Sequence, residues 1–322
     1  EIAQCLVGSE MCIRDRSNIR QYNKERRKHM SVKYEGIIPP IVTPFTASGE
    51  IDEEKIRREM EICLDAGADG ISVGGSTGEG PTLRDEELTQ LIKIAREYVK
   101  EGSDKTVVCG IMRTCTRDAV RAGKTAKEAG ADAIMVTPTA YNVLVPNAEG
   151  MFDFYNTISE EVQLPTIIYN VIPQNTIYPD LFHRLLNETE YIMGIKQSVG
   201  GIQALYADLM EIEGKGRVYA ATDDMIYSCF DLGAKGAISA ILSVFPKESV
   251  EMWKCAQTGD HLRGLEIQQS LYKKWQVLGG NQFPIKMKYA LKCLGRDCGY
   301  CRSPITYLPE EEKKAIRETF TK

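Results

Sequence analysis

Ala129-Gly130-Ala131-Asp132-Ala133-Ile134-Met135-Val136 decides the fold. It closes an amphipathic run over residues 116–129 and opens an apolar run over 133–136. A glycine just past a helix takes the left-handed conformation and turns the chain back sharply, so the stretch reads as helix, tight return, strand. The same turn recurs as Ala66-Gly67-Ala68-Asp69-Gly70 and as Leu232-Gly233-Ala234-Lys235-Gly236.

Outward from these turns, β-branched runs alternate with helical patterns roughly every 25 to 35 residues, the spacing of repeated βα units. Candidate strands are 37–42, 70–73, 106–111, 133–136, 166–169, 192–196, 218–221 and 237–239. Amphipathic helices are predicted over 53–66, 85–100, 116–129, 148–162 and 203–212, with Asp52 and Thr116 as candidate caps. Eight strands in this alternation predict a closed (β/α)8 TIM barrel over residues 30–245 rather than an open doubly wound sheet. After the eighth strand only helical patterns follow, over 247–256, 261–278, 284–294 and 310–320. Residues 246–322 are therefore expected as a C-terminal helical appendage whose exposed faces serve oligomer contacts.

The first 29 residues read as an extension foreign to the fold. Residues 5–16 resemble a translated sequencing-adaptor peptide, and residues 21–29 are polar and basic without an amphipathic stripe, a disordered composition. Met30 is the expected start, and a basic arm for nucleic acid or membrane is the alternative. The 322 residues carry a net charge of −5 with interspersed signs, so no basic face offers itself to a nucleic-acid backbone. No apolar run reaches the roughly 20 residues of a membrane span, and a cytoplasmic enzyme without nucleic-acid or membrane partners is expected. The ten cysteines are scattered through apolar segments of a chain that needs no staples, which fits reduced thiols. Cys298-Gly299-Tyr300-Cys301 lacks the second ligand pair of a structural zinc.

In a parallel barrel the loops after the strands build the active site. The sixth strand ends at Lys196, in Gly194-Ile195-Lys196-Gln197-Ser198. Such a lysine either reaches water or, desolvated, keeps enough free amine to add to a ketone and form an imine. The second strand ends in Gly74-Gly75-Ser76-Thr77-Gly78-Glu79-Gly80, where hydroxyls between glycines let backbone N–H groups turn toward a carboxylate or phosphate. Tyr141-Asn142 follows the fourth strand, Tyr169-Asn170-Val171 ends the fifth and Thr222-Asp223-Asp224 the seventh.

Together with Pro40-Ile41-Val42-Thr43-Pro44-Phe45 and Gly236-Ala237-Ile238-Ser239, these pieces resemble the dihydrodipicolinate synthase and N-acetylneuraminate lyase family of pyruvate-dependent class I aldolases, from about residue 32 to the end. The resemblance implies a covalent imine between Lys196 and pyruvate, with no metal or nicotinamide, and Tyr169 as proton shuttle backed by Ser76 and Tyr141. It also implies that Gly75, Thr77 and neighbouring N–H groups hold the pyruvate carboxylate, with backbone carbonyls of Ile238 and its flanking glycine nearby. Asp223 and Asp224 match positions that contact hydroxyls of the second substrate in sugar-acid members, or cap the next helix. Glu79 reads as a supporting carboxylate rather than a catalytic acid. Relatives are commonly homotetramers in which a tyrosine of the fourth-strand loop crosses to a neighbour's site, so a homotetramer or homodimer is expected.

Two departures bear on the aldehyde partner. Residues 139–146 depart from the family's usual paired tyrosines and carry an insertion. Where dihydrodipicolinate synthases usually have Y-N-V-P-x-R, with an arginine that pairs with the carboxylate of aspartate semialdehyde, this chain has Tyr169-Asn170-Val171-Ile172-Pro173-Gln174-Asn175. Asn175 and Gln174 hydrogen-bond a hydroxyl but do not neutralise a carboxylate. This favours cleavage or formation of a 2-oxo-3-deoxy sugar acid or related 2-oxo acid, with lysine-pathway dihydrodipicolinate synthase as runner-up. A non-catalytic keto-acid-binding barrel is the reading of another class. A phosphate-handling barrel is disfavoured, because Asp223 and Asp224 occupy the region where such barrels hold phosphate.

Overall fold

The computed structural model describes residues 34–141 and 143–320; the expectations for residues 1–29, Met30 and Asn142 lie outside them. Eight parallel strands follow one another as β1 (Gly36–Ile37), β2 (Gly70–Val73), β3 (Thr106–Ile111), β4 (Ala133–Val136), β5 (Thr166–Asn170), β6 (Ile192–Gln197), β7 (Arg217–Ala220) and β8 (Gly236–Ala237). Their order is β1-β8-β7-β6-β5-β4-β3-β2. A parallel bridge between Pro40 and Ser72, with Ser72 N–H donating to the Pro39 carbonyl at 2.9 Å and Ile41 N–H to the Ser72 carbonyl at 2.8 Å, closes the sheet into the predicted barrel.

The barrel helices are α1 (Glu53–Asp65), α2 (Asp85–Tyr98), α3 (Thr116–Glu128), α4 (Ala148–Val162), α5 (Pro179–Glu188), α6 (Gly201–Ile212) and the short α7 (Ile226–Asp231). Period-two alternation divides the strand residues between two cores, except on β6, where a register shift opposite Thr166 and Ile167 leaves Met193 unpaired and turns it to the same side as Ile167. Ile38, Val108, Met135, Ile167, Tyr169, Met193, Tyr219 and Ile238 fill the lumen, while Ile71, Cys109, Ile134, Ile168 and Ile195 face the helices. On α3 the small residues Ala119, Ala122, Gly123 and Ala126 recur at helical spacing and admit close packing. A methyl group at Gly123 would stand 2.7 Å from the Val162 side chain.

The repeated turns behave as the sequence predicts, with φ of 97° at Gly67, 100° at Gly130 and 111° at Gly233. Their aspartates have a role that the pattern did not show. Asp69 Oδ2 accepts from Ile37 N–H and Asp132 Oδ2 from Val107 N–H, each at 2.8 Å, so each carboxylate satisfies the entry of the preceding strand.

Several boundaries differ from expectation. β1 is shorter than 37–42, because Pro39 and Pro40 have no N–H to continue a ladder. Asp52 caps α1 by accepting from Lys55 N–H at 3.2 Å. Thr116, expected as a cap, is instead the first residue of α3, and Cys115 occupies the N-cap position.

The C-terminal segment forms α8 (Ile241–Val244), α9 (Pro246–Thr258), α10 (His261–Leu278), α11 (Phe283–Cys293) and α12 (Glu310–Phe320). It is joined to the barrel by buried charges. Lys288 Nζ lies 2.6 Å from Glu79 Oε1, with both side chains buried, and Arg302 N–H donates to Glu79 Oε2 at 2.9 Å. Arg296 pairs with Glu59 and Arg302 with Glu87. An antiparallel bridge from Phe45 to Tyr300 adds a backbone link. No helix among the described residues is long and apolar enough to cross a membrane.

Candidate active site

β5 and β6 run in register so that Tyr169 lies opposite Lys196. Two residues earlier on β5, Ile167 sits in the lumen, which fixes the inward face of both. Lys196 is 5% exposed, and its Nζ stands 3.7 Å from the centre of the Tyr169 ring. The phenol oxygen of Tyr169 lies 3.2 Å from Ser76 Oγ. Lysine, tyrosine and serine from three separate strand ends thus form one contiguous group, as the sequence predicts.

The loop after β2 is locked by its own backbone. Gly78 and Gly80 N–H groups both donate to the Gly75 carbonyl at 3.0 Å, and Glu79 N–H donates to the Ser76 carbonyl at 3.1 Å. The N–H groups of Gly75, Ser76 and Thr77 have no hydrogen-bonded acceptor among the described residues, and the Thr77 side chain is buried. At Gly80 any side chain is excluded, since a Cβ would fall 1.9 Å from the Gly74 carbonyl oxygen. Glu79 sits in the left-handed region with φ of 57°. Its pairing with Lys288 anchors the loop from below, in keeping with a supporting carboxylate.

Asp223, just past β7, is buried and accepts from Ile241 N–H at 2.7 Å. Burial pushes its carboxyl up to about 6; the Ile241 N–H, the nearby Ser239 hydroxyl and the Lys196 charge act in the opposite direction. Asp223 does not cap the next helix, α7, whose N-cap position is held by Met225 without a side-chain bond; it binds instead the first N–H of the short α8 (Ile241–Val244) beyond β8. Asp224 is half-buried and its carbonyl accepts from Gln268 Nε2 at 2.5 Å. Ile238 donates its N–H to the Ala220 carbonyl at 3.1 Å and turns its side chain into the lumen.

The Asp223 geometry sets a pH dependence. A carboxyl raised from 3.8 to about 6 holds its proton more tightly in the folded chain than in the unfolded one. Native protein therefore binds the extra proton between these values, and stability falls as pH rises through that window. Asp223→Asn keeps an oxygen for Ile241 N–H but removes the titration. Its unfolding free energy relative to the parent is expected to increase from pH 4 to 6 and level off above. Denaturant titrations across this range that show a constant difference would contradict the assignment.

Among the described residues, two expected ones have no hydrogen bond to Lys196, Tyr169 or Ser76. Tyr141 is 60% exposed on the loop after β4. Asn175 is buried at the end of a 3-10 turn (Pro173–Asn175), and its amide nitrogen donates to Thr139 Oγ1 at 2.7 Å and to the Thr139 carbonyl at 3.1 Å. Sequence reasoning missed Thr139 and Lys288. Neither carries a local signal, since Lys288 is 209 residues from Glu79. Among the described residues no group of three or more His, Cys, Asp or Glu is arranged to hold a metal ion.

The profile of the Dihydrodipicolinate synthetase family matches residues 33–322. The chain belongs to that family. A 4-hydroxy-tetrahydrodipicolinate synthase of Aquifex aeolicus is 33% identical over 293 residues, covering 90% of this chain and 97% of that protein. Another, of Enterococcus faecalis, is 34% identical over 285 residues, with 87% and 96% covered. The crystal structure of a chloride-inhibited dihydrodipicolinate synthase from Acinetobacter baumannii, complexed with pyruvate, matches with a TM-score of 0.81 at 31% identity, covering 89% of this chain and 98% of that one. Family membership makes the protein a carbon–carbon lyase of the pyruvate-dependent class I aldolase type, as predicted.

Proposed function

We propose that Lys196 is the imine-forming residue and that the protein joins pyruvate to, or releases it from, an aldehyde that carries no carboxylate. The buried lysine against the Tyr169 ring, with the phenol on Ser76, is the observation that supports the first half. The Lys196 amine adds to C2 of pyruvate and water leaves, giving an iminium. Tyr169, whose own phenolic proton has gone to the hydroxyl that left as water, accepts the C3 proton, and the iminium takes up the electron pair as an enamine. C3 of the enamine then attacks the aldehyde carbon, Tyr169 passes the proton to the new alkoxide, and hydrolysis of the regenerated iminium frees the product and the lysine, a proton of the attacking water returning to Tyr169. Run backwards, the same steps cleave the C3–C4 bond.

The pyruvate carboxylate is assigned to the N–H groups of Ser76 and Thr77 and the Thr77 hydroxyl, with Gly75 allowing close approach and the Ile238 carbonyl alongside. Asp223 and Asp224 are assigned to the second-substrate end. Tyr141, exposed here, is assigned to the relay of a second copy in a homodimer or homotetramer, which fits its position on an apolar loop tip with Val143, 74% exposed.

The uncharged aldehyde follows from the segment after β5, which contains no arginine through Asn175. A carboxylate there would lack the paired cation that its desolvation requires. The second reading, 4-hydroxy-tetrahydrodipicolinate synthesis in lysine formation, is supported by the names of the relatives above. The deciding experiment offers the enzyme pyruvate with aspartate semialdehyde or with glyceraldehyde, and tests 2-oxo-3-deoxy sugar acids for pyruvate release. Turnover of the sugar-derived compounds supports the first reading; condensation with aspartate semialdehyde alone overturns it in favour of the second.

A further inference from the structure

The two places where this chain departs from the family pattern touch each other. Asn175 Nδ2 reaches both the carbonyl and the hydroxyl of Thr139, and the Thr139 hydroxyl donates to the Leu144 carbonyl at 2.6 Å. Leu144 N–H in turn donates to the Tyr141 carbonyl at 2.9 Å. Asn175 and Thr139 are both buried, while Tyr141, Val143, Leu144 and Val145 stand exposed beyond them. A continuous hydrogen-bonded line therefore runs from the turn after β5 to the inserted loop after β4, both on the side of the barrel where the strands end.

We propose that Asn175 and Thr139 form a positioning clamp that holds the inserted loop as one wall of the second-substrate site. In this way they set which aldehyde is accepted. The inference rests on the aldolase reading of the site. The clamp acts through the loop and leaves the chemistry at Lys196 alone: it takes the amide that would otherwise face the aldehyde and directs it to Thr139. The wall so fixed is apolar and hydroxyl-bearing, which suits an uncharged, hydroxylated aldehyde.

Thr139→Val removes both hydroxyl bonds with little change of shape, and Thr139→Ser keeps them. Condensation of pyruvate with glyceraldehyde is measured for the full chain, together with the borohydride-trapped pyruvate adduct on Lys196. Thr139→Val is expected to raise KM for glyceraldehyde about tenfold, the scale of one buried polar group left unpaired. KM for pyruvate and the adduct yield should stay within about twofold, as for a site still intact at the lysine. Thr139→Ser should behave like the parent. Asn175→Asp, which sets a carboxylate against the Thr139 carbonyl, should follow Thr139→Val. A glyceraldehyde KM unchanged in Thr139→Val overturns the clamp, and so does a parallel rise for pyruvate, which marks a general distortion. A parent that forms the adduct but condenses only with aspartate semialdehyde also overturns it. A parent that forms no adduct refutes instead the underlying assignment of Lys196.

Discussion

Lys196→Ala is expected to lose the borohydride-trapped pyruvate adduct altogether and to lower turnover by about 10⁴- to 10⁶-fold, the range seen when a covalent nucleophile is removed. The protein should still fold, because the truncation removes a side chain at the lumen mouth while the strand and its ladder to Tyr169 remain. Lys196→Arg sharpens the test. A guanidinium keeps the positive charge beside Asp223 and the Tyr169 ring, yet it stays protonated and cannot add to a ketone. Both variants should therefore be equally inactive. An arginine variant with substantial activity would mean that the lysine serves only as a charge. Intact-mass analysis after reduction, with mapping of the modified peptide, reads the result directly. A pure keto-acid-binding barrel would instead retain reversible pyruvate affinity without any adduct in the parent.

Tyr169→Phe should be the next most damaging change. It leaves the ring beneath Lys196 Nζ and removes only the oxygen that meets Ser76 at 3.2 Å. The imine should still form, since nucleophilic addition does not need the phenol. Loss of the C3 proton should slow by about 10²- to 10⁴-fold, the usual contribution of a placed general base. Exchange of the pyruvate methyl protons with deuterated water isolates this step from the aldehyde. Exchange in the phenylalanine variant within a few-fold of the parent would remove Tyr169 from the relay. Loss of trapping and exchange together would instead place its role in building the site.

The pairing of Tyr169 with Lys196 was legible because strand periodicity is fixed by covalent geometry: each residue ends an apolar run, and consecutive parallel strands bring such ends together. The loop after β2 was legible for a similar reason, since its glycines permit tight backbone packing. Asp223 was less legible. Capping and substrate contact call for the same residue type, and the bond it makes, to Ile241 N–H beyond β8 rather than to the next helix, depends on the tertiary structure. The line from Asn175 through Thr139 to Leu144 was illegible, because it depends on how two loops of different strands meet.

The amino-acid sequence by itself determined the barrel, the order of its strands and the strand ends that carry lysine, tyrosine and serine. Those features follow from local periods and turn chemistry, which act over a few residues. Only the tertiary structure decided where the buried charges meet. Glu79 and Lys288, Glu59 and Arg296, and Glu87 and Arg302 lie more than two hundred residues apart in the chain, and their pairing joins the expected appendage to the loop that bears Ser76, to α1 and to α2. Removing Lys288 would leave the buried Glu79 without its paired cation, at a cost of about 3–5 kcal/mol. Such a penalty depends on burial and on the neighbour's position, and both arise only when the barrel closes on its C-terminal helices.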